Sequence, residues 1–173
     1  MAICSSRGCG NQTTAAHFTK CASCLLGTRR LDKLVAQYRA VEQLPPLAVP
    51  AGVWAFRVPG LPVAWNNALI RYAGRRPFLA PKAREWKQQI ALAAMQTRPG
   101  GWPLDRRYDV ELTSVFANPR ADADGPVKLV LDALTGCAWT DDRLVARVTA
   151  SKLVDADAPR IEVVLRLAAQ ERA

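Results

Sequence analysis

Hydrophobic and polar positions change period several times along this chain, and each change marks an element. Leu31, Leu34, Val35, Tyr38 and Val41 recur at helical spacing among Arg29, Arg30, Lys33 and Arg39, which predicts an amphipathic basic helix over residues 28–44. Pro45 and Pro46 stop it, and the proline-stiffened stretch 45–52 reads as a linker. Residues 53–58 then read as a strand closed by Pro59-Gly60, followed by an irregular or hairpin segment over 61–80. Pro81 suits the first turn of a helix running to Gln96, with Trp86, Ile90, Ala93 and Ala94 facing inward. From Tyr108 to Ala117, Val110, Leu112, Ser114 and Phe116 alternate with Glu111, Thr113 and Val115, as a strand requires. Pro126 to Leu134 reads as a short helix ended by Gly136. Strands are expected again at 144–153 and 160–167; in the second, Ile161, Val163, Leu165 and Leu167 share a face.

This order of elements predicts an α+β domain over residues 53–168, a mixed or antiparallel sheet packed by two helices, with 169–173 as a tail. Residues 1–27 are rich in Cys, Gly, Ser and Thr and hold too little apolar surface for a core of their own. Four of the chain's five cysteines fall there: Cys4, Cys9, Cys21 and Cys24, spaced C-x₄-C-x₁₁-C-x₂-C. Two cysteine pairs with short internal loops are the form of a zinc ribbon, in which tetrahedral Zn²⁺ substitutes for a hydrophobic core. Gly8 and Gly10 flank Cys9 and suit tight turns around thiolates; disulfides or free thiols are the other readings, and His17 is a spare donor. Cys137, alone behind Gly136, reads as a small buried or half-buried residue.

Composition narrows the partners. Half of the 173 residues are hydrophobic, enough for a real core, and the net charge is +9. A basic chain expects an anionic partner, nucleic acid before a membrane surface. No apolar run approaches the roughly 20 residues of a spanning helix, and the N-terminal residues lack a signal peptide's apolar stretch, so the expectation is a soluble intracellular protein.

Against this basic background, acid is concentrated at one place. Asp122, Asp124, Asp132, Asp141 and Asp142 surround Lys128. In an extended segment, Asp122-Ala-Asp124 would project both carboxylates from one face. Hard oxygen donors of that kind suit Mg²⁺ or Mn²⁺. Lys128, in the first turn of the predicted helix, could neutralise charge on a phosphorane-like transition state or orient an attacking water, and Asp132 at i+4 could hold it by a salt bridge. Asp141-Asp142 could add a third carboxylate from the loop after the helix. The same residues also serve as turn and cap chemistry, so spacing alone leaves both readings open.

A basic, aromatic stretch precedes the acidic one. Arg71, Arg75, Arg76, Lys82, Arg84 and Lys87 face a single acid, Glu85, with Trp65, Tyr72, Phe78 and Trp86 interleaved. This is a candidate phosphate-gripping flap, or else a solvated face with packing aromatics; Trp65 or Phe78 at a flap tip could wedge into a bound nucleic acid.

The run Arg-Ala-Asp-Ala-Asp-Gly-Pro-Val-Lys-Leu-Val-Leu-Asp-Ala-Leu-Thr-Gly, then Thr-Asp-Asp-Arg-Leu-Val, resembles the RusA family of Holliday-junction resolvases, whose pattern is D-x-D-N-x-x-K-x-x-x-D-A-L followed by D-D-x-x-[IV]. Phe-Arg-Val-Pro-Gly-Leu-Pro-Val resembles that family's opening strand and turn, and Ala-Pro-Lys-Ala-Arg-Glu-Trp its basic lead into the first helix. The resemblance implies a homodimeric endodeoxyribonuclease that resolves four-way junctions by paired symmetric nicks with Mg²⁺ or Mn²⁺. It implies Asp122, Asp124 and Asp142 (or Asp141) as metal ligands and Lys128 as the catalytic lysine. For a phage- or prophage-encoded member, the compartment would be the bacterial host cytoplasm. One departure stands out: Gly125 occupies the position where the family usually has Asn. The cysteine module lies outside the resemblance and resembles zinc modules fused to phage nucleases. Two other readings remain at this point: a zinc-containing DNA-binding or regulatory protein without catalysis, and a nuclease acting on other branched or single-stranded DNA.

Overall fold

The computed structural model describes residues 2–3, 12–13, 28–71, 73–74 and 76–169. Cys4, Cys9, Cys21, Cys24, His17, Tyr72 and Arg75 lie outside the described residues. In chain order the elements are β1 (Ala2–Ile3), β2 (Gln12–Thr13), α1 (Thr28–Glu42), β3 (Trp54–Pro59), α2 (Trp65–Ala68), β4 (Leu69–Ile70), β5 (Phe78–Leu79), α3 (Pro81–Thr97), β6 (Tyr108–Phe116), α4 (Val127–Leu134), a 3-10 turn (Asp142–Leu144), β7 (Val145–Val154) and β8 (Arg160–Leu167).

Four strands form the central sheet in the order β3-β8-β6-β7. β8 pairs antiparallel with both β3 and β6, whereas β6 and β7 run parallel. The sheet is therefore mixed, and its one parallel pair dictates the local topology. Parallel neighbours cannot be joined by a tight turn, so the chain leaves β6, crosses over through α4 and returns as β7. Pairing places Trp54, Leu165, Val110 and Val148 in one row across the sheet, Phe56, Val163, Leu112 and Ala150 in the next, and Val58, Ile161, Ser114 and Lys152 in a third. Residues in such a row share a face. Along β3, β8 and β6 that face is buried beneath Ala83, Trp86, Ile90 and Ala94 of α3 and Leu129, Val130, Ala133 and Leu134 of α4. Trp139 and Tyr108 close the core, their rings 5.6 Å apart.

On β7 the same face is left uncovered. Every residue from Ala146 to Val154 is exposed, and Val148, Leu153 and Val154 stand among the chain's exposed large hydrophobic residues. The helices thus cover three strands and leave the fourth as the floor of a cleft beside α4. The opposite face of the sheet is polar, with Arg57 bridging to Glu162 at 2.9 Å, Arg160 to the same carboxylate at 2.8 Å, and Thr113 and Ser151 joined at 2.9 Å.

Helix α1 packs against β3 through its buried Val41 and Gln37; the Gln37 amide donates to the Ala156 carbonyl at 3.4 Å, and Arg57 reaches the Pro45 carbonyl. The segment expected to be irregular or a hairpin is both: the one-turn helix α2 leads into a two-residue strand pair, β4 with β5. Cys137 is half-buried, as a lone small residue in apolar company should be, and its carbonyl accepts from Arg98 at 3.2 Å.

Candidate active-site cleft

Residues 117–126 link the end of β6 to α4 as a series of bends and turns, not as a strand extension. Asp122 and Asp124 therefore do not lie on one face of an extended segment, contrary to the expectation from their alternation. The Asp122 and Asp124 carbonyls each accept a turn hydrogen bond, from Gly125 N–H at 3.4 Å and Val127 N–H at 3.0 Å. Turn chemistry wins here because Asn118-Pro119 and Gly125-Pro126 bracket the acids: proline lacks a ladder donor and asparagine closes local turns. Asn118 does so, its side-chain oxygen accepting from Arg120 N–H at 3.1 Å. Pro126 sits at the cap position of α4, one residue before the helix proper.

The turns still deliver both acids to one place. Asp122, Asp124 and Asp142 all line a cleft of about 690 Å³, together with Lys128 and Asp132 from α4, Trp65 from α2, and Val148 and Ala150 from the bare part of β7. Neither the Asp122 nor the Asp124 carboxylate makes an ion pair or hydrogen bond with another described residue. Lys128, 55% exposed along its side chain, pairs with Asp132 at 3.0 Å, the i+4 bridge expected from the helix period. Its ammonium also lies 5.2 Å from the centroid of the Trp65 ring.

The neighbouring acids separate by their partners. Asp141 caps the 3-10 turn and is consumed by Arg143, accepting from its backbone N–H at 2.9 Å, its Nε at 3.0 Å and its Nη2 at 2.8 Å. The Arg143 side chain and backbone hold the Asp141 carboxyl down at about 2, well below the usual range. Asp142 lines the main cleft, whereas Asp141 does not; both acids line a second hollow with Lys87, Asp132 and Thr140. Of the acidic pair, Asp142 is the one turned to the cleft.

Three carboxylates around one cleft fit a hard divalent ion in donor chemistry. Among the described residues, however, no three His, Cys, Asp or Glu side chains are drawn together into a ligand set. The turns of 121–126 thus bring the alternating acids to a shared cleft by a path other than the extended one their spacing suggests.

One residue that sequence reasoning missed organises this loop. Lys152, in the sheet row with Val58, Ile161 and Ser114, reaches from β7 to the loop, and its ammonium donates to the carbonyls of Pro119 and Ala121 at 3.2 and 3.0 Å. It thereby ties β7 to the backbone immediately before Asp122. Asp155 N–H adds a hydrogen bond to the Phe116 carbonyl at 2.8 Å, anchoring the start of the same loop. The signal in the sequence was Lys152 falling in step with Val148 and Ala150 at period two, which is visible only once β7 is paired with β6.

Among the proposed DNA-gripping residues, Arg71, Arg76, Lys82 and Arg84 are exposed on the hairpin and the first turn of α3, and Lys87 is half-buried beside Asp142. Arg75 falls outside the described residues. Trp86 is core, whereas Phe78 is 44% exposed. Trp65 is not at the hairpin tip but in the cleft wall.

The family model described as "Endodeoxyribonuclease RusA" matches residues 59–166, well over half of the chain. That span runs from the end of β3 through β8 and includes every residue placed in the cleft. A search of the curated proteins finds no match.

Proposed function

This chain belongs to the RusA endodeoxyribonuclease family and is thus a nuclease, and from that premise we propose that it resolves four-way DNA junctions by paired symmetric nicks. The observation that carries the proposal is the joint placement of Asp122, Asp124, Asp142 and Lys128 around one cleft, inside the matched span. Asp122, Asp124 and Asp142 would hold Mg²⁺ or Mn²⁺, with Asp141 kept from the task by Arg143. When bound, such an ion activates water and stabilises the charge of the phosphodiester being cut.

The chain's own groups supply the rest. Lys128 brings a cation to the cleft wall, where charge builds on the phosphate oxygens, and Asp132 keeps that cation from wandering. Arg71, Arg76, Lys82 and Arg84 offer an exposed basic approach for backbone phosphates, with Arg75 in the same run, and Lys87 extends it to the edge of Asp142. Paired cuts need two sites, which supports a homodimer; the ten-residue exposed edge strand β7, beside the cleft, has unpaired backbone groups that a second copy could use. Cys4, Cys9, Cys21 and Cys24 are proposed as a structural Zn²⁺ site on the strength of their spacing, in a module of residues 1–27 set before the basic helix, the linker and the nuclease domain. No described helix is long and apolar enough to cross a membrane, in keeping with action on DNA inside the cell.

A labelled synthetic four-way junction incubated with protein and Mg²⁺ tests this reading. Symmetric nicks in opposing strands, ahead of any cutting of flaps, forks or single strands, support it. Preferential cutting of those other substrates would move the specificity. Junction binding without cutting would contradict it and leave a DNA-holding protein.

A further inference from the structure

Glycine at 125 is not required by the backbone. Five glycines of the described chain have positive φ, and Gly125 is not among them. Space is the constraint: a Cβ built there would lie 2.9 Å from the Ala64 Cβ, closer than real carbon pairs approach, and 3.5 Å from the Ala64 Cα. Two small residues therefore face each other where the segment before α2 crosses the acidic loop. Immediately beyond that contact, Trp65 N–H donates to the Gly125 carbonyl at 2.7 Å, and the Trp65 ring lies under the Lys128 ammonium.

We propose that Trp65 is a positioning residue that holds the Lys128 amine over the acidic cleft, and that the Ala64–Gly125 contact is what lets it come close enough. The inference rests on the reading of Lys128 as the catalytic lysine. A lysine side chain exposed on a helix samples many rotamers, and one salt bridge to Asp132 fixes only its tip. An aromatic face on the cleft side adds a second restraint, so the amine stays at the cleft wall and does not swing out to solvent. The usual family side chain at position 125 would not fit against Ala64 without pushing the α2 segment, and with it the indole, away.

Two readouts test this. Reductive ¹³C-methylation of the folded protein gives lysine signals, with that of Lys128 assigned from Lys128→Arg. Its dimethylamine resonance is expected upfield of the other lysines from the indole ring current. The shift should vanish in Trp65→Leu, persist in Trp65→Phe, collapse in Gly125→Ala and return in the paired Ala64→Gly/Gly125→Ala variant. On unmethylated protein, Trp65→Leu should lower single-turnover junction cleavage roughly threefold to thirtyfold at unchanged junction affinity, with Trp65→Phe recovering most of the rate. A Lys128 resonance indifferent to Trp65, or Gly125→Ala leaving both shift and rate intact, overturns the inference. A parent protein that cuts normally while Trp65→Leu cuts equally fast sinks the positioning role alone; a parent that cuts no DNA sinks the reading of the cleft on which it rests.

Discussion

Replacing Lys152 by methionine removes one ammonium and keeps most of the apolar stem, so it isolates the tie between β7 and the loop bearing Asp122. Two hydrogen bonds are lost, to the carbonyls of Pro119 and Ala121. Bonds from a charged donor contribute about 1.5–3 kcal/mol each where water is excluded, but Lys152 is exposed and water competes for both partners. By analogy with exposed ion pairs, about 1 kcal/mol for the two together is the working figure. That corresponds to about a fivefold fall in the ratio of preset loops to all others, which lowers apparent metal affinity by up to the same factor. Calorimetric titration with Mn²⁺ alone should therefore show weakened metal affinity, by up to about fivefold, with Lys152→Arg close to the parent. The metal concentration for half-maximal cleavage should rise in step, and the rate at saturating metal should fall much less. Unchanged Mn²⁺ affinity in Lys152→Met would refute the argument. Weakened junction affinity with normal metal affinity would reassign Lys152 to phosphate contact.

Asp122→Asn and Asp124→Asn should abolish cleavage while preserving or tightening junction binding in gel-shift titrations, because carboxylates facing phosphates repel them; cutting at the parent rate by either variant would displace that residue from the site. Asp141 should titrate near 2 by carboxyl-carbon NMR and return toward the ordinary range in Arg143→Gln. Since its folded pKa is depressed, the stability this contact lends is present above about pH 4 and is lost as pH falls through the folded value. Ile90→Ala, at a fully buried position between α3 and the sheet, should cost about 2–5 kcal/mol in urea denaturation; a loss under about 1 kcal/mol would mean the α3 packing is misassigned.

What could be read from the sequence follows from where its information is local. The bounds of α3, β6, α4 and β8 follow within a residue or two from apolar spacing, because each buries one face and the period reports that face directly. The edge position of β7 was not legible. Its alternation of Val148 and Ala150 with Arg147, Thr149 and Ser151 predicts a strand, but whether helices cover it depends on how far α3 and α4 reach across the sheet. The acids and Lys128 were legible as a group, while the extended path drawn through Asp122 and Asp124 gave way to the turns that Asn118-Pro119 and Gly125-Pro126 impose. Lys152 escaped notice because its contact with the acidic loop exists only through the parallel register of β6 with β7. Gly125 was visible as a departure, but its reason, the Ala64 methyl, sits in a distant part of the chain that only the fold brings near.

In the proposed site, Asp122, Asp124 and Asp142 share a divalent ion. Crystals grown with Mn²⁺ and measured at the manganese edge test it most directly. An anomalous peak is expected in the cleft within coordination distance of all three carboxylates, and it should be lost in Asp124→Asn. Manganese bound elsewhere on the chain, or at Asp141 in place of Asp142, would contradict it.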